Sequence, residues 1–432
     1  MKHIVWTNLD APARKTALAR PAAISNAALI EGVRAILRDV QDNGDEALSR
    51  LTKKFDGRAP DTVEIPISTL EAAWNALPAS DQAVIERARR NIKLFHKAQI
   101  PAPIEVETEP GVVCRREARA IETAGLYVPG GTAPLISTLL MLAVPAKVAG
   151  VRNRIVVTPP GKDGTVNSVI LAAAYRCKVS RLFVVGGAQA IGALAYGTNT
   201  IPKCDKIFGP GNAWVAAAKS LVAQEAGGPA IDMPAGPSEA MVLADEAADP
   251  AFVASDLLSQ AEHDTVAQVV CVASTAEMAD RIEKEIEAQL KTLPREAIAR
   301  EALKHGRMII ANERMDIIDI VNRYAPEHLI VQLRDPDTYV GAIRNAGSIF
   351  LGPWTPESVG DYASGTNHTL PTYGAARAYS GVTLESFIKY VSIQKLTKKG
   401  LKRLGPVVER LAEMEGLDAH KRAVSLRLEA LQ

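Results

Sequence analysis

Residues 125–197 read GLYVPGGTAPLISTLLMLAVPAKVAGVRNRIVVTPPGKDGTVNSVILAAAYRCKVSRLFVVGGAQAIGALAYG. Short β-rich runs, GLYV, RIVVT and RLFVV, alternate here with longer apolar stretches of helical length, LISTLLMLAVPAKVAG, NSVILAAAYR and AQAIGALAYG. Strand followed by helix, repeated, predicts parallel strands joined by crossover helices that cover both faces of the sheet.

The same texture returns further along. Two Gly/Pro-rich stretches, FGPGNAW (208–214) and DMPAGPSEA (232–240), interrupt the chain. A second series of strand candidates follows: AMVLAD, QVVCVAS, RMIIAN, HLIVQL and SIFLG, with helical segments between them. Two α/β halves result, divided near residue 237. Toward the N-terminus, Ser25 is placed to cap a helix carrying Leu29, Val33, Ile36, Leu37 and Val40, and a second helical pattern runs from about Leu70 to Phe95. From about Leu384 the chain reads as helices rich in Lys, Arg and Glu, with too little apolar content for an independent domain.

Composition narrows the function classes. In 432 residues, 47% are hydrophobic and 23% charged, with a formal net charge of +1, so neither a polyanionic partner nor nucleic acid is expected. No run approaches the ~18 apolar residues that span a bilayer, and the first residues lack the apolar core of a signal peptide, so no membrane partner and a cytoplasmic location are expected. Cys114, Cys177, Cys204 and Cys271 lie far apart without a CxxC pair, and they read as small buried hydrophobes rather than a thiolate metal site. Cys114, flanked by Arg115 and Arg116, carries the alternative of an activated thiol.

Four of the seven histidines stand among acids, amides and glycines: SQAEHD (Gln260, Glu262, His263), APEHLI (Glu327, His328), GDYASGTNHTLP (Asp361, His368) and EGLDAHK (Glu415, His420). Singly, each reads as a satisfied or solvated histidine; together they read as a site. Imidazole nitrogen and carboxylate oxygen suit zinc, so His263, Asp361 and His420 are a candidate open, catalytic ligand set. Gln260 lies three residues before His263, on the same face of a helix, where its amide oxygen can join them. Glu327 and His328 precede an apolar strand and belong at its mouth, where α/β sheets commonly place functional groups. Neighbours in extended chain point to opposite faces, so both serve one site only if the approach is irregular, which Pro326 favours. A carboxylate and an imidazole there supply bases for two proton removals. Nucleotide binding has thinner support: GxGxxG is absent, and VVGGAQAIG, YVPGG and FGPGN offer Gly-rich turns whose N–H groups suit phosphate.

Taken as an ordered set, GLYVPGG, GGAQAIGALAYGT, DKIFGPGN, IDMPAGPSE, DLLSQAEHD, PEHLI, ESVGDYASGTNHTLPT and AHKRAV resemble the histidinol dehydrogenase family along nearly the whole chain. The resemblance implies oxidation of L-histidinol through L-histidinaldehyde to L-histidine, the last step of histidine biosynthesis, with reduction of two NAD. It implies one zinc per site on Gln260, His263, Asp361 and His420, with Glu327 and His328 as bases. Substrate contacts carry over to Ser238, His328, His368 and Glu415, besides the metal ligands, and NAD contacts to Tyr127, Gln189 and Asn212. It also implies a homodimer whose C-terminal tails are exchanged.

The expected architecture is α/β, with two incomplete Rossmann-like parallel-sheet domains. An N-terminal arm covers 1–22; a discontinuous domain over 23–125 and 238–383 carries metal and catalytic residues; a Rossmann-like NAD-binding domain covers 126–237; and a helical tail covers 384–432. Three other readings remain open: a zinc hydrolase that needs no NAD, an NAD enzyme for another amino alcohol, and a non-catalytic metal-binding or interaction protein.

Overall fold

The computed structural model describes residues 1–20, 27–60, 62–130, 134–234 and 236–431. The proposed Ser25 cap lies outside the described residues, as does part of the YVPGG turn. Strands are numbered along the chain: β1 (Lys2–Val5), β2 (Glu64–Ile65), β3 (Ile104–Glu109), β4 (Val112–Ala120), β5 (Thr123–Tyr127), β6 (Asn153–Thr158), β7 (Arg181–Val184), β8 (Lys206–Phe208), β9 (Ala230–Ile231), β10 (Glu239–Ala244), β11 (Gln268–Ala273), β12 (Arg307–Ile310), β13 (His328–Gln332), β14 (Ser348–Leu351) and β15 (Ile388–Leu396). Two compact units divide the chain, Met1–Gln99 with Glu122–Phe387, and Ile100–Ile121 with Ile388–Gln432.

The larger unit contains two six-stranded sheets, ordered β2-β7-β6-β5-β8-β9 and β1-β12-β11-β10-β13-β14. Apart from the antiparallel edge strand β2, all pairings in both sheets are parallel. Within each series the first strand lies between the second and the fourth, so both sheets reverse direction at their centre, as doubly wound sheets do at a ligand-binding switch point. The runs read as strands are strands, and they are apolar without alternation because helices cover both faces: every residue of β10, β11 and β13 is buried. The helix Ile136–Ala149 is buried on all sides from Ser137 to Ala146, and Gly150, at φ 90°, closes it in the left-handed conformation that a Cβ disfavours. With ~1.5–3 kcal/mol gained per fully buried large aliphatic side chain, such a helix is held by the core rather than by amphipathicity.

The N-terminal segments depart from the expected domain grouping. The apolar stripe of the helix Ala27–Asp56, from Leu29 through Val40 to Leu51, packs with Tyr127, Val157, Phe183, Ile191 and Val215, and β2 pairs with β7. These residues therefore complete the β5–β9 layer instead of the β10–β14 layer, because that is where an uncovered sheet face meets their stripe. Conversely the arm joins the second sheet: β1 pairs with β12, and Trp6 is fully buried in its core. The long helical pattern of 70–95 is two helices, Ile67–Ala76 and Ala79–Lys97, separated at Pro78, whose ring cannot continue the first.

The smaller unit was legible only in its helices. Its β3, β4 and β15 form an antiparallel sheet, and β15 runs in unbroken register from Ile388 opposite Ala120 to Leu396 opposite Val112. Helices Lys398–Met414 and Asp418–Glu429 follow, leaving Leu411, Met414, Leu417 and Leu426 exposed. Among the described residues no helix is long and apolar enough to cross a membrane.

Candidate active site

In a parallel sheet each crossover helix ends beside the start of the next strand, and that edge of the β10–β14 sheet gathers the acids and imidazoles. The helix Pro250–Ala261 delivers Gln260 and His263 just ahead of β11, while Ser238 and Glu239 open β10, and Glu327 and His328 open β13. The expected strand mouth is thus the N-terminal one, opposite to the carboxyl edge where open α/β sheets usually bind ligands. The reason is local. Ala325 ends the helix Arg314–Tyr324 in the left-handed conformation (φ 55°), and Pro326 then turns the chain into β13.

That irregular approach lets adjacent residues work on one site. A Glu327 carboxylate oxygen accepts the Glu239 N–H at 2.8 Å, and His328 Nδ1 donates to the Glu239 carbonyl at 3.1 Å. His328 Nδ1 lies 3.7 Å from Glu327 Oε2 and 3.6 Å from Glu357 Oε1, and Nε2 lies 3.5 Å from Asp361 Oδ1. Burial pushes the carboxyls of Glu327 and Glu357 up to about 8. Burial also disfavours a charged His328, but Glu357, Glu327 and Asp361 together outweigh it and hold the imidazole above its usual range. Asp361, although desolvated, is kept low by His328, with His368 and His263 contributing. Protons in this cluster therefore belong to the group rather than to one residue.

Among the buried polar atoms of the described residues that make no hydrogen bond, three belong to this cluster: Gln260 Nε2, His328 Nε2 and Glu357 Oε2. Turning the Gln260 amide over puts its oxygen, an electron-pair donor, where the unpartnered nitrogen lies, and an oxygen there can satisfy a cation. His328, Glu357 and Asp361 bring one ligand atom each within 4.8 Å of one another. Of the expected metal ligands only Asp361 belongs to this set, with His263 near enough for each to feel the other's charge; mixed nitrogen and oxygen donors of this kind fit zinc. Gln260, His263 and Asp361 belong to this unit, whereas Glu415, at the end of the helix Lys398–Met414, and His420 are exposed residues of the smaller unit.

His368 closes the gap to the other sheet. Its Nδ1 donates to the Asp361 carbonyl at 2.9 Å, its Nε2 lies 3.2 Å from Thr138 Oγ1, and burial lowers its pKa. Asn367 donates to the Met141 carbonyl at 2.6 Å. Thr138 lies in the first turn of the helix that follows β5, so the start of β13 is linked to the C-terminal edge of the β5–β9 sheet.

At that second edge stand the three residues expected to meet NAD. Tyr127 ends β5, buried, and its hydroxyl accepts the Gly187 N–H at 3.2 Å; burial drives the phenol up to about 12. Gln189 is buried in the first turn of the helix Gly187–Tyr196. Asn212 caps the helix Ala213–Val222, its side-chain oxygen accepting the N–H groups of Trp214 and Val215. Between them, Gly209 (φ 118°) lies so close to β5 that a Cβ would sit 2.1 Å from the Tyr127 carbonyl oxygen. Its own carbonyl and N–H are taken by Lys219 (2.8 Å) and Asp232 (2.8 Å), an ion pair buried beneath the turn.

Two contributors escaped the reading of the sequence. Glu357 stands four residues before Asp361 on the short helix Glu357–Tyr362, a spacing that places both carboxylates on one face and could have signalled the pair. Arg20, bonded to Glu239, has no local signal. The cysteines are free: Cys177, Cys204 and Cys271 are buried, with burial pushing each thiol up to about 12, and Cys114 is half-buried.

With this geometry in view, the comparisons converge. Residues 19–428 match the family model described as histidinol dehydrogenase. Curated relatives named histidinol dehydrogenase include those of Photobacterium profundum, 49% identical over all of this chain and 97% of its own, and Vibrio cholerae, 49% identical over all of this chain and 99% of its own. The crystal structure of histidinol dehydrogenase from Elizabethkingia anophelis superposes with a TM-score of 0.95 at 45% identity, covering 100% of this chain and 98% of that one. The chain belongs to the histidinol dehydrogenase family of oxidoreductases.

Proposed function

We propose that the chain oxidises L-histidinol to L-histidine through L-histidinaldehyde, passing two hydrides to two NAD, in the cytoplasm and at the end of histidine biosynthesis. The observation that carries this reading is the pair Glu327 and His328, buried side by side at a strand edge that His368 links to the Gly-rich edge of the other sheet. A hydride acceptor would be held at that second edge, which the His368–Thr138 contact at 3.2 Å links to the start of β13.

Gln260, His263 and Asp361 would hold zinc, with His420 completing the set. When bound, zinc supplies a Lewis-acidic anchor for the nitrogens of the amino alcohol and orients its carbinol carbon. The protein's own groups manage the protons. With Glu327 and Glu357 protonated, His328 is relieved of two of the anions that charge it and is free to take the hydroxyl proton as the first hydride departs. His328 and Glu327 then pass their protons to solvent, and the Glu327 carboxylate takes a proton from the water that adds to the aldehyde; its raised pKa makes it a stronger base than an ordinary carboxylate. Ser238, His368 and Glu415 bind the substrate, and Tyr127, Gln189 and Asn212 the nucleotide. Burial at the start of β13 keeps the aldehyde from solvent between steps.

Glu415 and His420 come, in this reading, from the tail of a second copy in a homodimer; their exposure, and the exposed Leu411, Met414, Leu417 and Leu426 around them, support it. The test is the number of NADH formed per L-histidinol consumed, with zinc-loaded and chelator-treated protein side by side. Two NADH per histidine, lost on chelation and regained with zinc, is expected; no NADH from histidinol would remove the substrate assignment.

A further inference from the structure

Glu239, the first residue of β10, is wholly buried and touches both proposed bases through its main chain, giving its N–H to Glu327 and its carbonyl to His328. Its side chain is gripped by the N-terminal arm. Arg20 donates through Nε to one carboxylate oxygen and through Nη2, at 2.8 Å, to the other, and the Tyr373 N–H reaches the same carboxylate at 3.2 Å. Arg20 also holds the opposite side of the turn. Its Nη2 donates to the Tyr324 carbonyl at 2.9 Å, and its guanidinium stacks on the Tyr324 ring 4.0 Å from the centroid. Tyr324 ends the helix that leads, through Ala325 and Pro326, into Glu327.

One guanidinium thus fastens the start of β10 to the turn that delivers Glu327 and His328. We propose that Arg20 and Glu239 are a positioning pair that sets the placement of Glu327 and His328, which makes the N-terminal arm part of the catalytic apparatus. The inference rests on the reading of Glu327 and His328 as bases. A buried ion pair is a weak device for stability alone, since apolar residues of similar volume often serve as well. A two-pronged guanidinium, by contrast, fixes the plane and position of its carboxylate in a way that lysine does not. Placement matters here because a misplacement of ~1 Å in a catalytic group costs on the order of 100-fold in rate.

The test uses the zinc-loaded, full-length enzyme and compares Arg20→Lys, Arg20→Met and the double variant R20M/E239Q with wild type, measuring kcat, KM for amino alcohol and for NAD, and thermal midpoint. Arg20→Lys keeps the charge without the fork, and kcat should fall about tenfold with both KM values within about twofold. R20M leaves a buried carboxylate unpaired and should melt early. The double variant removes that charge, so its midpoint should recover while kcat stays about 100-fold low. A double variant with wild-type kcat, or losses that track only the folded fraction, would overturn the pair's positioning role. Undiminished turnover in E327Q and H328N would instead overturn the assignment of the bases, and the proposal with it.

Discussion

The two large sheets share one strand order and use opposite edges. In the β5–β9 sheet, Tyr127, Gln189 and Asn212 gather at the C-terminal edge, where helices begin; in the β10–β14 sheet, Ser238, Gln260, His263, Glu327 and His328 gather where helices end and strands start. Helix polarity favours the difference. Helix starts present free N–H groups and partial positive charge, which suit the pyrophosphate of a dinucleotide; helix ends present carbonyls and partial negative charge, which suit a cation. At ~0.3–1 kcal/mol each the dipole terms are small, so they favour an edge without determining it. Side chains decide. At one edge the Gly209 turn is pinned against β5 by the buried Lys219–Asp232 pair, while at the other buried acids surround His328.

The sharpest way to break the proposed division of labour is to remove the two proposed bases. His328→Asn should lower kcat for histidinol by about 10²–10⁴, and Glu327→Gln should do the same for the aldehyde step while sparing the first oxidation more. Steady-state assays started from alcohol and from aldehyde separate the two; equal losses from both starting points would show that the residues do not divide the steps. A change at the other edge should behave differently. Gly209→Ala drives a Cβ into the Tyr127 carbonyl and should cost about 2–4 kcal/mol in stability, with KM for NAD raised far more than KM for histidinol. A KM for NAD equal to that of wild type in the folded fraction would separate this turn from the nucleotide.

A smaller effect probes the acids behind the proton-handling edge. Asp256, one turn before Gln260, accepts from Gln332 Nε2 at 2.8 Å, yet burial pushes its carboxyl up to about 6. Because the folded value lies above the unfolded one, the stability its neutral form contributes is complete below about pH 4 and is lost as pH rises through about 6. Asp256→Asn should therefore gain on wild type between pH 4 and pH 7.5, by at most about 3 kcal/mol, read as a difference in thermal midpoints. A gap that does not change with pH would mean that Asp256 is not desolvated as described.

Much of this was legible before any coordinates. Unbroken apolar runs such as QVVCVA identify strands covered on both faces, and the alternation of strand and helix gives parallel order. The sheet of the smaller unit was not legible as a sheet: every residue of β3 is exposed, so Ile104–Glu109 buries no face that would mark it as a core strand, and although β3 and β4 form a local hairpin across residues 110–111, the pairing of β4 with β15 joins segments far apart in sequence. Likewise the helix Ala27–Asp56 shows its apolar stripe plainly, but a stripe does not say which of two similar sheets will cover it. In the site, histidines beside acids drew attention to Gln260, His263, Glu327, His328, Asp361 and His368. Glu357 reads as an ordinary first-turn acid until its side chain is seen against His328. Arg20 acts through a contact 219 residues away.

The placement of a cation at one edge and a dinucleotide at the other is tested most directly by anomalous scattering at the zinc absorption edge from crystals of the zinc-loaded enzyme with NAD. The account predicts one strong peak per site among Gln260, His263 and Asp361, with the nucleotide against the turns at Tyr127 and Gly209. A peak at the C-terminal edge of the β5–β9 sheet, or a nucleotide lying against the start of β11, would contradict it.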